Sequence, residues 1–166
     1  EQTVWKAQDQ FGRILDLKLQ KPVEVVGYPI KEFNHYTEEY AKERFLLDYD
    51  FNFLCVAQAG PRKNLEKTID YFYKTFKDKK VGLVLKISKA NNCVRDKIFC
   101  MDMLKAFSDQ HPDALCKIYL LHGFMTDAEM HALYVEPKIK CLLSLTHGEG
   151  FGLPLYEAAY SGLPII

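Results

Sequence analysis

Five short apolar runs, at about 51 to 57, 81 to 87, 116 to 121, 139 to 145 and 163 to 166, alternate along this chain with helical segments. Near-continuous apolar strands separated by helices imply a parallel sheet covered on both faces, because each strand has no polar side to turn to water. The expected fold is therefore α/β, a doubly wound (Rossmann-like) parallel sheet. With right-handed crossovers its strand order is 3-2-1-4-5, counting the runs along the chain. Sheets of this kind take ligands outside the carboxyl ends of the strands, where the order reverses. That point lies between the first and fourth runs, so the loops trailing them should face each other.

The helices are legible from periodicity and caps. Leu65, Ile69, Phe72 and Phe76 recur at helical spacing behind Asn64, an expected N-cap. A second helix is expected from about 95 to 109. A third opens on Thr126-Asp127-Ala128-Glu129, which matches a capping box, and Pro137 ends it. A fourth opens near Leu153-Pro154 and stops at Gly162.

Residues 1–49 read differently, and 50–166 are expected to form the domain proper. The first part is expected to be a mixed helical stretch through Leu19, then Pro22 to Pro29, then a charged helical stretch from about 37 to 47. Together these look like a connector to something upstream. The chain opens on Glu1 and closes on Leu163-Pro164-Ile165-Ile166, the beginning of a buried strand, so it is expected to be a fragment of a longer protein.

Composition narrows the function classes. In 166 residues, 48% hydrophobic and 27% charged, there is enough apolar material for one sizeable core. Twenty-two basic residues balance twenty-two acidic ones, which argues against a nucleic-acid partner or a strong draw to anionic membranes. The five cysteines include no C-x-x-C pair, and Cys55, Cys116 and Cys141 sit in apolar runs, where a thiol behaves as a small hydrophobe. The expected compartment is the reducing cytoplasm, with no structural metal. No apolar run approaches the ~18 residues of a membrane span.

The chemistry concentrates in two loops. His147-Gly148-Glu149-Gly150-Phe151-Gly152-Leu153-Pro154-Leu155-Tyr156-Glu157 runs from a strand exit into a helix. Gly150 and Gly152 carry no Cβ, so a ligand can approach the backbone, and the unused N–H groups of Phe151 to Leu153 favour phosphate. Glu157 lies one turn in, and helix side chains lean toward the N-terminus, so its carboxylate returns to the same mouth, placed for a diol. Alone, Glu157 would read equally as a partner for the helix dipole. The loop after the first run is Gln58-Ala59-Gly60-Pro61-Arg62-Lys63-Asn64. Alone, Arg62-Lys63 is a solvated basic pair; opposite a glycine-rich helix mouth it becomes a diphosphate clamp. Lys86 ends the second run toward the same edge. Asp48-Tyr49-Asp50 has the spacing of a metal-binding D-x-D, but it precedes the first strand and so belongs to the far edge of the sheet.

Glu149 and Glu157, with seven residues between, resemble the E-x7-E signature of retaining GT-B glycosyltransferases of family 4 (group 1). Ser144 to Ile166 looks like that family's donor-site segment. The resemblance implies the C-terminal, donor-binding half of a GT-B fold, truncated at its C-terminus. Residues 1–49 would then be a connector and the tail of an N-terminal acceptor domain, with Thr3-Val4-Trp5 like its usual start and Val25 to Tyr28 like its crossing strand. It implies a hexosyltransferase that moves sugar, with retention and without a metal, from a nucleotide-diphosphate sugar to a glycan or lipid-linked acceptor, as in polysaccharide biosynthesis. Any membrane association would belong to the N-terminal domain. Carried over by position, Lys63 matches the phosphate-binding lysine, Glu157 holds the ribose, Glu149 the sugar, and Thr146 and His147 line its pocket. Gln58 stands where the family often has an arginine; Arg62 or Lys86 would supply the cation. Two other readings remain open: a nucleotide-binding fragment inactive by itself, or a GT-B epimerase or phosphorylase.

Overall fold

The structure, a computed structural model, describes residues 4–18, 24–27 and 45–166. The chain divides into two units, residues 1–32 and 33–166.

The described part of the first unit overturns the expected helix. β1 (Val4–Gln8) and β2 (Ile14–Lys18) form an antiparallel hairpin. The turn between them is the reason. Asp9 accepts N–H bonds from Phe11 and Arg13, both at 2.9 Å, and pairs with the Arg13 guanidinium at 2.8 Å. Gly12 takes φ +81°, open to a residue without a Cβ. An Asp side chain bonded to the backbone two residues on competes directly with a helix. Residues 24–27 have no regular structure, so no crossing strand begins at Val25. The charged helix expected at 37 to 47 lies outside the described residues except for Phe45 to Leu47, which are not helical; Phe45 and Leu47 are buried.

The second unit holds the expected sheet. β3 (Asn52–Gln58), β4 (Gly82–Ser88), β5 (Lys117–Leu121) and β6 (Ile139–Leu142) are all parallel, in the order β5-β4-β3-β6. The last apolar run joins beside β6 through a parallel bridge from Leu142 to Ile165, with Ile166 N–H on the Leu142 carbonyl at 2.8 Å. Read along the chain, this is 3-2-1-4-5.

The central strands β3 and β4 are buried on both sides, β5 at the edge only partly, and consecutive side chains enter different cores. Phe53, Cys55, Leu83, Leu85 and Ile87 pack with Leu65, Ile69 and Phe72 of α1 (Leu65–Phe76) and Cys100 of α2 (Val94–Ser108). Leu54, Val84 and Leu142 pack with Ala132 to Tyr134 of α3 (Asp127–Tyr134) and Ala158 of α4 (Leu153–Tyr160). The period-2 alternation of a strand explains the split, and the two-sided cover explains why the runs carry no polar stripe. Burial pushes the Cys55 thiol up to about 12, so it acts as a hydrophobe.

Thr126 and Glu129 form the expected capping box at α3. Asn64 corrects another expectation. It stands at the N-cap of α1 with φ 53° and ψ 33°, and its side chain caps nothing there. The 3₁₀ turn Pro61–Lys63 uses Asn64 N–H on the Pro61 carbonyl, at 3.3 Å, and this turn needs a left-handed residue to leave it, a conformation Asn accepts more readily than most.

At the amino edge, Asn52 is fully buried and donates to the Tyr49 and Lys138 carbonyls at 2.6 and 3.0 Å. Gly82 fits against it so closely that a Cβ would lie 1.9 Å from Asn52 Oδ1.

Candidate functional site

The loops after β3 and β6 meet at the carboxyl edge, where the strand order reverses. Backbone and amide groups bolt them together. His147 N–H and the Thr146 hydroxyl both donate to the Arg62 carbonyl, at 2.9 and 3.1 Å. The Asn64 amide, released from capping, donates to the Leu145 carbonyl at 3.0 Å.

Across this seam the charged side chains converge on one carboxylate. Lys63 Nζ donates to Glu149 Oε1, and Arg62 donates to Glu149 Oε2 at 3.1 Å and to the Gly148 carbonyl. The Lys63 and Glu149 side chains are only 13% and 19% exposed, whereas Arg62 is 56% exposed. The Lys63 ammonium holds the Glu149 carboxyl below the usual carboxylate range, with Arg62 helping and burial opposing. Glu149 is therefore ionised at neutral pH, and the trio of two cations and one anion keeps a net positive charge. A second anion can compete for Lys63 and Arg62 if Glu149 turns aside.

The helix mouth lies beside this trio. Gly152 adopts φ +78° and starts α4, with Pro154 in its first turn. A Cβ on Gly150 would meet nothing within 4 Å, and one on Gly60 would touch only the Gln58 carbonyl, at 4.0 Å, so backbone is open to a ligand on both sides. Phe151 and Leu153 are exposed, as is His147. Glu157 sits one turn into α4, and its Oε2 accepts a hydrogen bond from Tyr134 of α3 at 2.9 Å.

Lys86 reaches the same edge but is occupied elsewhere. Its ammonium donates to the Gly123 carbonyl in the loop after β5, and burial pulls its pKa down, with Glu129 opposing. It is not brought to Glu149. The Gln58 amide donates to the Lys89 carbonyl at 2.9 Å, so the position where the resemblance implies an arginine braces the loop after β4.

Sequence reasoning missed Tyr134 and Asp96. Tyr134 is 3% exposed and reads as core by periodicity; nothing local announces that its hydroxyl emerges beside Glu157. Asp96 lies in the first turn of α2, where a carboxylate can reach back to loop N–H groups. It accepts from Lys89, Ala90 and Asn92 at 2.8, 3.1 and 3.0 Å. Asp96, Cys100 and His122 place ligand-type atoms within 4.8 Å of one another. The carboxylate is already committed to three backbone donors, so this trio anchors the 89–92 loop. Asp48 and Asp50 pair with Lys117 at 2.8 Å and Lys138 at 3.8 Å, on the opposite edge from the crevice. No helix among the described residues is long and apolar enough to cross a membrane.

No protein-family model matches the chain, and no curated protein does. Solved structures share its fold. The C-terminal domain of a glycosyl transferase group 1 family protein (LpcC) from Francisella tularensis is 16% identical with a TM-score of 0.51, the match covering 79% of this chain and 64% of that one. The catalytic domain of starch synthase IV from Arabidopsis thaliana, bound to ADP and acarbose, is 15% identical with a TM-score of 0.51, covering 76% of this chain and 24% of that one. The chain thus spans less than two thirds of either. What the likeness establishes is architecture: the sheet β5-β4-β3-β6 with its helices is that of the C-terminal, Rossmann-like domain of GT-B proteins.

Proposed function

We propose that this chain is the donor-binding domain of a glycosyltransferase, which holds a nucleotide-diphosphate sugar for transfer, with retention, to an acceptor hydroxyl on a glycan or lipid-linked substrate. The observation that carries the reading is the convergence of Lys63 and Arg62 on Glu149 across two loops that the chain separates widely, beside an open glycine-rich helix mouth.

The physical difficulty of this reaction is the departing diphosphate, whose charge grows as the glycosidic bond breaks. Pre-placed cations and N–H groups aimed at that charge supply the stabilisation without reorganising. Lys63, Arg62 and the amides of Phe151 to Leu153 are the donors in this assignment, and no metal is invoked. Glu149 occupies the cations when no donor is bound. Diphosphate takes its place, and the freed carboxylate turns to the sugar, with Thr146 and His147 lining the sugar pocket. Glu157 accepts the ribose hydroxyls. The five free thiols are consistent with a reducing, cytoplasmic setting. The acceptor's contacts belong to an N-terminal domain.

The test is calorimetric titration of the chain with UDP, GDP and ADP. Saturable binding of one of them, weakened about tenfold or more in Lys63→Ala, is the expected result, since a lost charged hydrogen bond is worth ~1.4 kcal/mol or more. A folded chain that binds none of the three removes the donor-site assignment.

A further inference from the structure

We infer that Tyr134 is a positioning residue for ribose recognition, acting through Glu157; the inference rests on the donor-site reading above and adds to it a residue that no motif contains.

Glu157 is an exposed glutamate on a helix surface, and such a side chain samples several rotamers. Holding one of them for a diol would cost binding free energy at the moment the nucleotide arrives. Tyr134 removes that cost beforehand. Its ring is locked in the core between α3 and α4, with Ala158 and Leu133 in the same apolar cluster, and its hydroxyl donates to Glu157 Oε2 at 2.9 Å. Burial and the neighbouring carboxylate both raise the Tyr134 pKa, so the hydroxyl stays a donor across the physiological range.

The direction of this bond matters for selectivity. A phenol that donates to one carboxylate oxygen leaves Oε1 and a remaining lone pair on Oε2. Those positions accept, and a pair of vicinal hydroxyls donates. The Glu157 carboxylate is thereby presented in one orientation to a ligand that offers two donors, and a sugar that lacks them leaves a fixed acceptor unpaired. A second polar contact, Ser161 Oγ to His131 Nδ1 at 3.3 Å, joins the same two helices, so their spacing does not depend on Tyr134 alone.

The alternative is that Glu157 only satisfies a buried tyrosine, as such hydroxyls require. The two roles differ in what a missing hydroxyl does to ligand choice. The experiment takes whichever of ADP, GDP and UDP binds the chain, together with its 2′,3′-dideoxy counterpart, and measures both by calorimetry on the wild type, Tyr134→Phe and Glu157→Gln. Tyr134→Leu, which also lacks the hydroxyl, serves if the phenylalanine variant does not fold. We expect the wild type to prefer the ribonucleotide at least tenfold. In Tyr134→Phe this preference should fall about threefold to tenfold, while affinity for the dideoxy compound is unchanged; Glu157→Gln should reduce the preference by as much or more. A wild type that prefers the ribonucleotide together with a folded hydroxyl-free variant that keeps the full preference overturns the role of Tyr134 and leaves the donor site standing. A chain that binds no nucleoside diphosphate overturns the donor site and this inference with it.

Discussion

Both edges of the sheet carry lysine–carboxylate pairs, and they differ in ways that set the candidate site apart from an ordinary surface. At the amino edge, Lys117 and Asp48 are 2.8 Å apart with side chains 49% and 59% exposed. At the carboxyl edge, Lys63 and Glu149 are 13% and 19% exposed and Arg62 adds a second cation. Exposed pairs contribute little, because water and salt screen them. Sheltered charges keep their field for a ligand that displaces one partner. Glycines sharpen the contrast. Gly82 at the amino edge is pressed against buried Asn52, whereas a Cβ on Gly150 at the carboxyl edge would meet nothing within 4 Å. One edge uses glycine to pack, the other to stay open.

The largest effect expected from this contrast is catalytic. In an enzyme that includes the acceptor domain, Lys63→Ala should lower kcat on the order of 10²–10³, the usual loss for one pre-placed donor to a developing charge. Lys117→Ala, although it also breaks a lysine–carboxylate pair, should leave kcat unchanged and stability nearly so, because both partners are exposed. Equal kinetic losses in the two variants would erase the distinction between the edges.

Stability should show the reverse preference. Gly82→Ala forces a Cβ into Asn52 and should cost about 1–3 kcal/mol or more in urea unfolding. Gly150→Ala, read by the same unfolding curve, should stay within ~0.5 kcal/mol while nucleotide affinity drops. A stable Gly82→Ala protein would contradict the close packing at the amino edge.

The smallest effect is in the acid limb of the stability curve. Lys63 first, then Arg62, depresses the Glu149 carboxyl, and Lys117 depresses Asp48. A carboxyl depressed on folding adds stability that is complete above its unfolded value, about 4.3 for Glu and 3.9 for Asp, and lost as pH falls through the folded value. Glu149→Gln and Asp48→Asn should therefore each flatten the slope below about pH 5. Raising salt to about 0.5 M should cancel the Asp48 contribution and leave much of that from Glu149, because the Debye length then shrinks to a few ångströms and acts on the exposed pair. Equal salt sensitivity of the two slopes would mean that Glu149 is as solvated as Asp48.

Much of this arrangement was legible before the fold. The apolar runs place β3 to β6 within a few residues, because strands covered on both faces are built mostly of apolar residues. Thr126 and Glu129 announce α3 because a capping box closes within four residues. Lys63 and Glu149 could be assigned to one crevice because parallel strands with right-handed crossovers leave few ways to order a sheet. The errors share a cause. The expectation of a mixed helical stretch through Leu19 fails because a single aspartate bonded to two N–H groups makes a hairpin turn. Asn64 has the residue type of a cap, but it leaves the preceding 3₁₀ turn in the left-handed region and its side chain caps nothing in α1.

The sequence by itself determined the order of elements from β3 onward, the open backbone at Gly150, and the charges that meet where strand order reverses. These follow from steric and solvation rules that act on neighbours a few residues apart, plus the handedness of crossovers. Gly152, expected to be open as well, is buried, with Leu155 and Glu149 side chains where a Cβ would point. Only the tertiary structure decided which partner each polar group took: Asn64 on Leu145, Lys86 on Gly123, Gln58 on Lys89, Tyr134 on Glu157. The reason is physical. A buried donor must find some acceptor or bear the cost of desolvation, and which acceptor lies within 3 Å depends on how helices and loops remote in the chain settle against one another.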